Sequence, residues 1–284
     1  MKILNLPIDL PPELCAPPGR GNAADLTAYL LDPMKETADR LRPAVVICPG
    51  GGYTRLSERE DQPVAMEYLA AGFQVFSLHY SVAPAVFPRA LMELALAVRL
   101  IRSHSAQWKV DPRRIVVSGF SAGGHLACSL GVFYNQDFLC NPLGLSPEEI
   151  RPDGLLLCYP VITSGEFCHA GSIESLLGAA AGETRQRRLV SLELQAGPHT
   201  PPTFLWHTST DQTVPVENSL LFAQALRRHG VSLELHIYPT GRHGLSLATR
   251  EVEGCDGRYY EPACQSWIGL AKTWIENLGH ENAQ

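Results

Sequence analysis

One stretch limits what this chain can fold into more than any other: Arg114 to Leu130, Arg-Ile-Val-Val-Ser-Gly-Phe-Ser-Ala-Gly-Gly-His-Leu-Ala-Cys-Ser-Leu. It opens on an apolar, β-branched run, Ile115 to Val117, which reads as a buried strand. It closes on Leu126, Ala127 and Leu130 at helical spacing, which reads as the buried face of a helix. Between them lies Gly119-Phe120-Ser121-Ala122-Gly123, a match to G-x-S-x-G. A strand that turns sharply into a helix holds the middle residue in a strained conformation. Glycines two residues to either side let strand and helix pass without side-chain clash. The turn lifts the Ser121 hydroxyl out of the sheet, and the helix start presents free N–H groups beside it. The five-residue pattern alone is weak; flanked by a strand and a helix it is strong.

The remaining chain supplies a sheet for that turn to sit in. Residues 1–43 are proline-rich with one strand, Leu26 to Leu31, expected as an antiparallel edge. Pro43 to Cys48 is a continuous apolar run of the kind buried on both faces, and it opens into Pro49-Gly50-Gly51-Gly52-Tyr53. A helix is expected over 62–71 with Val64, Tyr68 and Leu69 inward, then a strand over 73–80. The charge cluster from Ser57 to Asp61 reads as a solvated helix start. From Pro88 to Trp108 the apolar residues Leu91, Leu94, Ala95, Val98 and Ile101 predict one long amphipathic helix. Asp111-Pro112 is expected to break the chain before the central strand, and 135–152 to form a loop. Further strands are expected over 154–160, 203–207 and 232–238, with helices over 218–228 and 266–278. The last helix places Trp267, Leu270, Trp274 and Leu278 on one face. Strands alternating with helices predict an α/β fold, a mostly parallel sheet with helices on both faces. Residues 163–200 interrupt the alternation and read as a lid-like insertion or substrate wall over the sheet's open end. No repeat or linker divides the chain, so 1–284 reads as one domain.

Composition narrows the class. A chain of 284 residues with 45% hydrophobic content can bury a large core. The net charge of −6, without a Lys/Arg run, argues against a nucleic-acid partner. No apolar run approaches the roughly 20 residues of a membrane span. The start, Met1 to Pro7, lacks the apolar core of a signal peptide. The eight cysteines form no C-x-x-C pair, and Cys48, Cys128 and Cys158 lie in apolar segments, which predicts buried thiols in a reducing compartment. A cytoplasmic protein follows from these readings. No His/Cys/Asp set has ligand spacing, so no metal is expected.

A serine hydroxyl is a poor nucleophile until a base takes its proton, so Ser121 needs a histidine and an acid to orient it. On this kind of sheet the chain order is serine, acid, histidine. Of the ten histidines, His243 lies in a glycine-bounded loop just past a strand, where a base can hang over the sheet edge. His125, His169 and His199 stay open. His207 and His236 fall within strands and read as structural, and His229 and His280 as surface positions. Asp211 follows a strand in Ser209-Thr-Asp-Gln-Thr-Val-Pro215, with Glu217 as the fallback acid at a helix start. An oxyanion needs N–H donors. Ala122, just after the serine, supplies one, and the loop Gly50 to Gly52 can supply the rest. Tyr53 and Tyr80 are candidates for a substrate pocket, with core packing as the alternative.

These motifs together, Pro49-Gly-Gly-Gly-Tyr53, Gly119-Phe-Ser-Ala-Gly-Gly-His125, Asp211-Gln-Thr-Val-Pro215 and Arg242-His-Gly244, resemble those of α/β-hydrolases of the esterase/lipase group. The resemblance is stronger to bacterial acetyl esterases described as acetylxylan-esterase-like, and it spans about residues 40–250. It implies Ser121 as nucleophile, His243 as base, Asp211 as its partner, and Gly51, Gly52 and Ala122 as oxyanion donors. It implies a cofactor-free serine carboxylesterase acting on small-molecule esters or acetylated oligosaccharides, acetyl esters of sugars or small alcohols above all. One departure is visible: related lipases carry His-Gly-Gly-Gly where this chain has Pro49-Gly-Gly-Gly. The competing expectations are a general short-chain carboxylesterase, a prolyl-oligopeptidase-like serine peptidase, and a non-catalytic binding protein of the same fold. A homo-oligomer is compatible with the sequence.

Overall fold

Strands that are apolar on both sides must be covered on both sides, and the structure does this. The computed structural model describes residues 1–14 and 24–279. Its strands are β1 (Lys2–Ile8), β2 (Ala24–Leu30), β3 (Arg42–Cys48), β4 (Gln74–His79), β5 (Val110–Phe120), β6 (Gly154–Cys158), β7 (Thr203–Thr208) and β8 (Leu233–Tyr238). They form one eight-stranded sheet in the order β1-β2-β4-β3-β5-β6-β7-β8. The pairs β1–β2 and β2–β4 are antiparallel, and every pair from β4–β3 to β7–β8 is parallel.

The helices are α1 (Gln62–Ala70), α2 (Arg89–Ser103), α3 (Ser105–Trp108), α4 (Ala122–Phe133), α5 (Asp137–Leu143), α6 (Pro147–Ile150), α7 (Ala170–Leu177), α8 (Thr184–Leu189), α9 (Glu217–Arg228) and α10 (Trp267–Asn277). Side-chain alternation in β3 shows the two layers: Ala44, Val46 and Cys48 join a core with residues of α2, α4 and α9, whereas Val45 and Ile47 join a second core with α1 and α10. The chain passes from β3 to β4 on one side and then crosses back to β5 on the other, so the strand order reverses beside β3. Such a reversal leaves a crevice at the carboxyl ends of the strands. Cys48 at the end of β3 lies beside Gly119 near the end of β5, so the loops that follow them face each other.

Several expectations are revised. The sheet edge is β1, not β2. Leu4, Leu6 and Ile8 turn toward the core at period two, while Lys2 and Ile3 stay exposed. The long helix is divided at His104, whose ring stacks on Trp108 at 4.7 Å. Asp111-Pro112 sits inside β5 at a register shift rather than ending a segment. Residues 135–152 carry two short helices, the second begun by a capping box of Ser146 and Glu149. On α10, Leu270 is exposed, and Ala271 and Ile275 complete the buried face with Trp267, Trp274 and Leu278. Among the described residues no helix is long and apolar enough to cross a membrane. Cys48, Cys128, Cys140, Cys158, Cys168, Cys255 and Cys264 are free thiols, with Cys255 exposed and Cys168 half-buried rather than buried. His280 and Cys15 lie outside the described residues.

Candidate active site

Ser121 occupies the turn between β5 and α4 at φ 54°, ψ −119°, a region side chains rarely adopt. Three backbone bonds hold it there: its N–H donates to Cys158 O at 3.0 Å, and its carbonyl accepts from Val161 N–H at 3.0 Å and from His125 N–H at 3.1 Å. The flanking glycines are required by contact. A Cβ on Gly119 would lie 2.1 Å from Gly123 O, and one on Gly123 would lie 2.1 Å from Cys48 O.

The loops after β5, β7 and β8 bring three side chains into a line. Ser121 Oγ is 2.7 Å from His243 Nε2, and His243 Nδ1 is 2.6 Å from Asp211 Oδ2. A carboxylate can only accept, so Nδ1 carries the imidazole proton and Nε2 accepts the serine O–H. Asp211 Oδ1 accepts from Thr213 N–H at 2.9 Å and Val214 N–H at 3.0 Å. Its Oδ2 also faces His207 Nε2 at 3.3 Å. Burial alone would raise the Asp211 carboxyl. Hydrogen bonds from His207 and His243, the charge of His243, and Val214 N–H outweigh it and hold the group well below the usual carboxylate range. His207 is fully buried; its Nδ1 meets Ser219 Oγ at 2.7 Å and its Nε2 also meets Val214 O at 3.0 Å.

The loop after β3 faces this line. Gly51 has φ +130°, and a Cβ there would meet Arg55 O at 2.1 Å. Gly50 N–H donates to Glu60 Oε2 at 2.9 Å, while the N–H groups of Gly51, Gly52 and Ala122 have no partner among the described residues. Glu60 does more than close that loop. Its Oε1 accepts from Tyr159 O–H at 2.7 Å, and the same phenol oxygen accepts from Ser246 N–H at 2.8 Å. The Tyr159 ring packs edge-on against His243, 5.1 Å between centroids. Burial pushes the Tyr159 phenol well up, so it stays protonated and keeps donating. One carboxylate thus joins the glycine loop to the histidine loop. Glu60 is 2% exposed, which corrects its reading as part of a solvated helix start. Only tertiary contacts reveal it.

The structure brings Ser121, Asp211, His243, Ala122, Gly51 and Gly52 together. It does not offer the phenols of Tyr53 and Tyr80 to a ligand. Both rings are buried; Tyr53 Oη meets His125 Nδ1 at 2.9 Å, and Tyr80 O–H donates to Pro49 O at 2.6 Å. Tyr80 thus ties down the start of the glycine loop at Pro49, and Tyr53 ties its end to α4. His125 is buried between Tyr53 and Val190 O. His199 Nε2 bonds Val132 O, His236 pairs with Glu234, and Glu217 begins α9. Among the described residues no group of His, Cys, Asp or Glu is placed to hold a metal ion.

Residues 30–226 match the BD-FAE family model. The chain belongs to the BD-FAE family. A solved relative, the acetyl ester-xyloside bifunctional hydrolase of Caldicellulosiruptor lactoaceticus, is 38% identical with TM-score 0.81, covering 97% of this chain and 96% of that one. Endo-1,4-beta-xylanase B of Butyrivibrio fibrisolvens is 37% identical over 245 residues, 84% of this chain and 38% of that protein. The acetylxylan esterase of Xylanibacter ruminicola is 29% identical over 216 residues, 72% of this chain and 42% of that protein. The BD-FAE chain therefore spans about two-fifths of the length of these two curated relatives. The α/β-hydrolase fold read from the sequence is the fold observed.

Proposed function

We propose that this BD-FAE protein is a serine carboxylesterase that removes short acyl groups, acetyl above all, from sugars or small alcohols. The observation that carries the reading is the hydrogen-bonded line from Ser121 through His243 to Asp211, at 2.7 and 2.6 Å. The names of the Caldicellulosiruptor and Xylanibacter relatives supply the acetyl-sugar substrate class.

Ser121 Oγ attacks the ester carbonyl while His243 Nε2 takes its proton. Asp211, ionised in its set of donors, holds the imidazole in the required tautomer and stabilises the cation that forms. The free N–H groups of Gly51, Gly52 and Ala122 donate to the developing oxyanion. His243 then gives the proton to the leaving alcohol, and a water activated by the same nitrogen hydrolyses the acyl-enzyme. Residues 163–200 form the wall that limits acyl and alcohol size. The single sheet that carries every one of these groups supports one catalytic domain over 1–284. Buried free thiols at Cys48, Cys128 and Cys158 support the reducing compartment expected from the sequence.

The test compares p-nitrophenyl acetate, butyrate and octanoate with an acetylated xylo-oligosaccharide. A p-nitrophenyl xyloside is added because one relative is described as acting on both bonds. Fast acetate turnover, steep loss by octanoate and acetate release from the oligosaccharide are expected. Preference for octanoate with no action on the sugar refutes the substrate, and esterase activity that survives Ser121→Ala refutes the mechanism.

A further inference from the structure

His169 is half-buried in the 163–200 segment, where it caps α7. Its Nδ1 lies 3.2 Å from Ser172 N and 2.8 Å from Ser172 Oγ. A backbone N–H can only donate, so Nδ1 is the acceptor and the neutral ring carries its proton on Nε2. That Nε2–H has no hydrogen-bond partner among the described residues. In this it differs from His125 and His199, whose Nε2 atoms face the carbonyls of Val190 and Val132. One side of the ring is anchored and the other is open.

The capped start of α7 stands beside the active site. Ser172 Oγ is 3.8 Å from where a Cβ on Gly52 would sit, which puts the cap of α7 against the glycine loop. His169 is close enough to His243 and Asp211 for both to influence its protonation. Burial lowers its affinity for a proton, His243 lowers it further, and Asp211 opposes them less strongly. The ring is therefore kept as a neutral donor beside the base and does not compete with it for the serine proton.

We propose that His169 binds the alcohol part of the substrate, its Nε2–H donating to a sugar hydroxyl or ring oxygen next to the scissile ester. The acyl side gives such a donor nothing to meet, because an acetyl methyl has no acceptor. The carbonyl oxygen is claimed by the N–H groups of Gly51, Gly52 and Ala122. Sugar oxygens are the acceptors left. The proposal rests on the acetyl-sugar reading and names the residue within the insertion that recognises the sugar.

The experiment separates the donor from the cap. In His169→Asn the side-chain oxygen still accepts from Ser172 N–H, so α7 keeps its cap, but nothing reaches the Nε2 position. His169→Gln reaches it. Both variants are compared with the parent by kcat and KM on p-nitrophenyl acetate and on an acetylated xylo-oligosaccharide, with Tm as the folding control. His169→Asn is expected to lose about 10- to 100-fold more kcat/KM on the oligosaccharide than on p-nitrophenyl acetate, mostly through KM. His169→Gln is expected to recover part of that difference. Equal losses on both substrates, or no loss, overturn the proposal and leave His169 a helix cap. A parent enzyme that turns over p-nitrophenyl acetate but releases no acetate from the sugar refutes the acetyl-sugar reading, and the proposal falls with it.

Discussion

Replacing Gly123 by alanine tests how closely the serine turn and the glycine loop depend on each other. The added Cβ would lie 2.1 Å from Cys48 O and 2.4 Å from Pro49 O, where about 3.0 Å is the least that real contacts tolerate. Both atoms are backbone. Cys48 is fixed beside Gly119 by the β3–β5 ladder, so it cannot swing aside as a side chain would. The shortfall of about 1 Å must be met by moving the turn away from the loop that follows β3. Ser121 and Ala122 then retreat from Gly51 and Gly52, and the nucleophile loses its alignment with the N–H donors. A misplacement of that size costs about 100-fold in rate. Overpacking costs about 1–3 kcal/mol in stability, which in a chain of this size lowers Tm by roughly 2–12 °C. The assay is kcat on p-nitrophenyl acetate together with the rate of fluorophosphonate labelling, on protein whose circular dichroism matches the parent. A variant that keeps kcat within about threefold at an unchanged Tm refutes the reasoning, because it means the turn can accept a side chain without moving.

Three other perturbations address separate parts of the structure. His207→Leu removes a donor from Asp211 Oδ2; at about 1.5–3 kcal/mol for a hydrogen bond to a charged group, kcat/KM should fall roughly 10- to 100-fold, with His207→Gln recovering part. A drop in Tm with unchanged kcat/KM would limit His207 to packing. Burial of His125, only partly offset by its bond to Val190 O, lowers its pKa from 6.5 to about 4, so between those values the unfolded chain binds a proton that the folded chain does not. Stability should therefore decline as pH falls from 6.5 to about 4, by about 3 kcal/mol at 1.36 kcal/mol per pH unit, and urea titrations of His125→Gln should show a shallower decline. A variant with the same pH slope as the parent contradicts this. Gly269→Ala on α10 meets nothing within 4 Å and should raise stability by up to about 1 kcal/mol through helix propensity, so a lower Tm would show that the site is not open.

Much of this protein was legible in the residues because its signals are local. The apolar run at Pro43–Cys48, the serine turn with its two glycines and the loops carrying Asp211 and His243 each announce themselves within a few positions. Three consecutive glycines mark backbone that something must approach closely. Other signals were local but faint: the period-two pattern of Leu4, Leu6 and Ile8 in β1, and the capping box before α6. The roles of Glu60, Tyr53 and Tyr80 were not legible. Glu60 sits in a charged run that looks solvated, yet it is buried because Gly50 N–H and Tyr159 O–H, 10 and 99 residues away, claim its two oxygens. Tyr53 and Tyr80 looked like pocket walls, and the fold turned their hydroxyls inward to His125 and Pro49.

The division has a physical cause. Backbone conformation and strand or helix period depend on neighbours along the chain, so the sequence by itself determined the strained serine, the glycine loop, the mostly parallel sheet and the order of serine, acid and base. Whether a polar side chain reaches a partner depends on segments that meet only after the sheet is assembled. The tertiary structure alone decided that His243 Nε2 stands 2.7 Å from Ser121, that His207 shares Asp211, and that His169 is left with one ring nitrogen open beside the site.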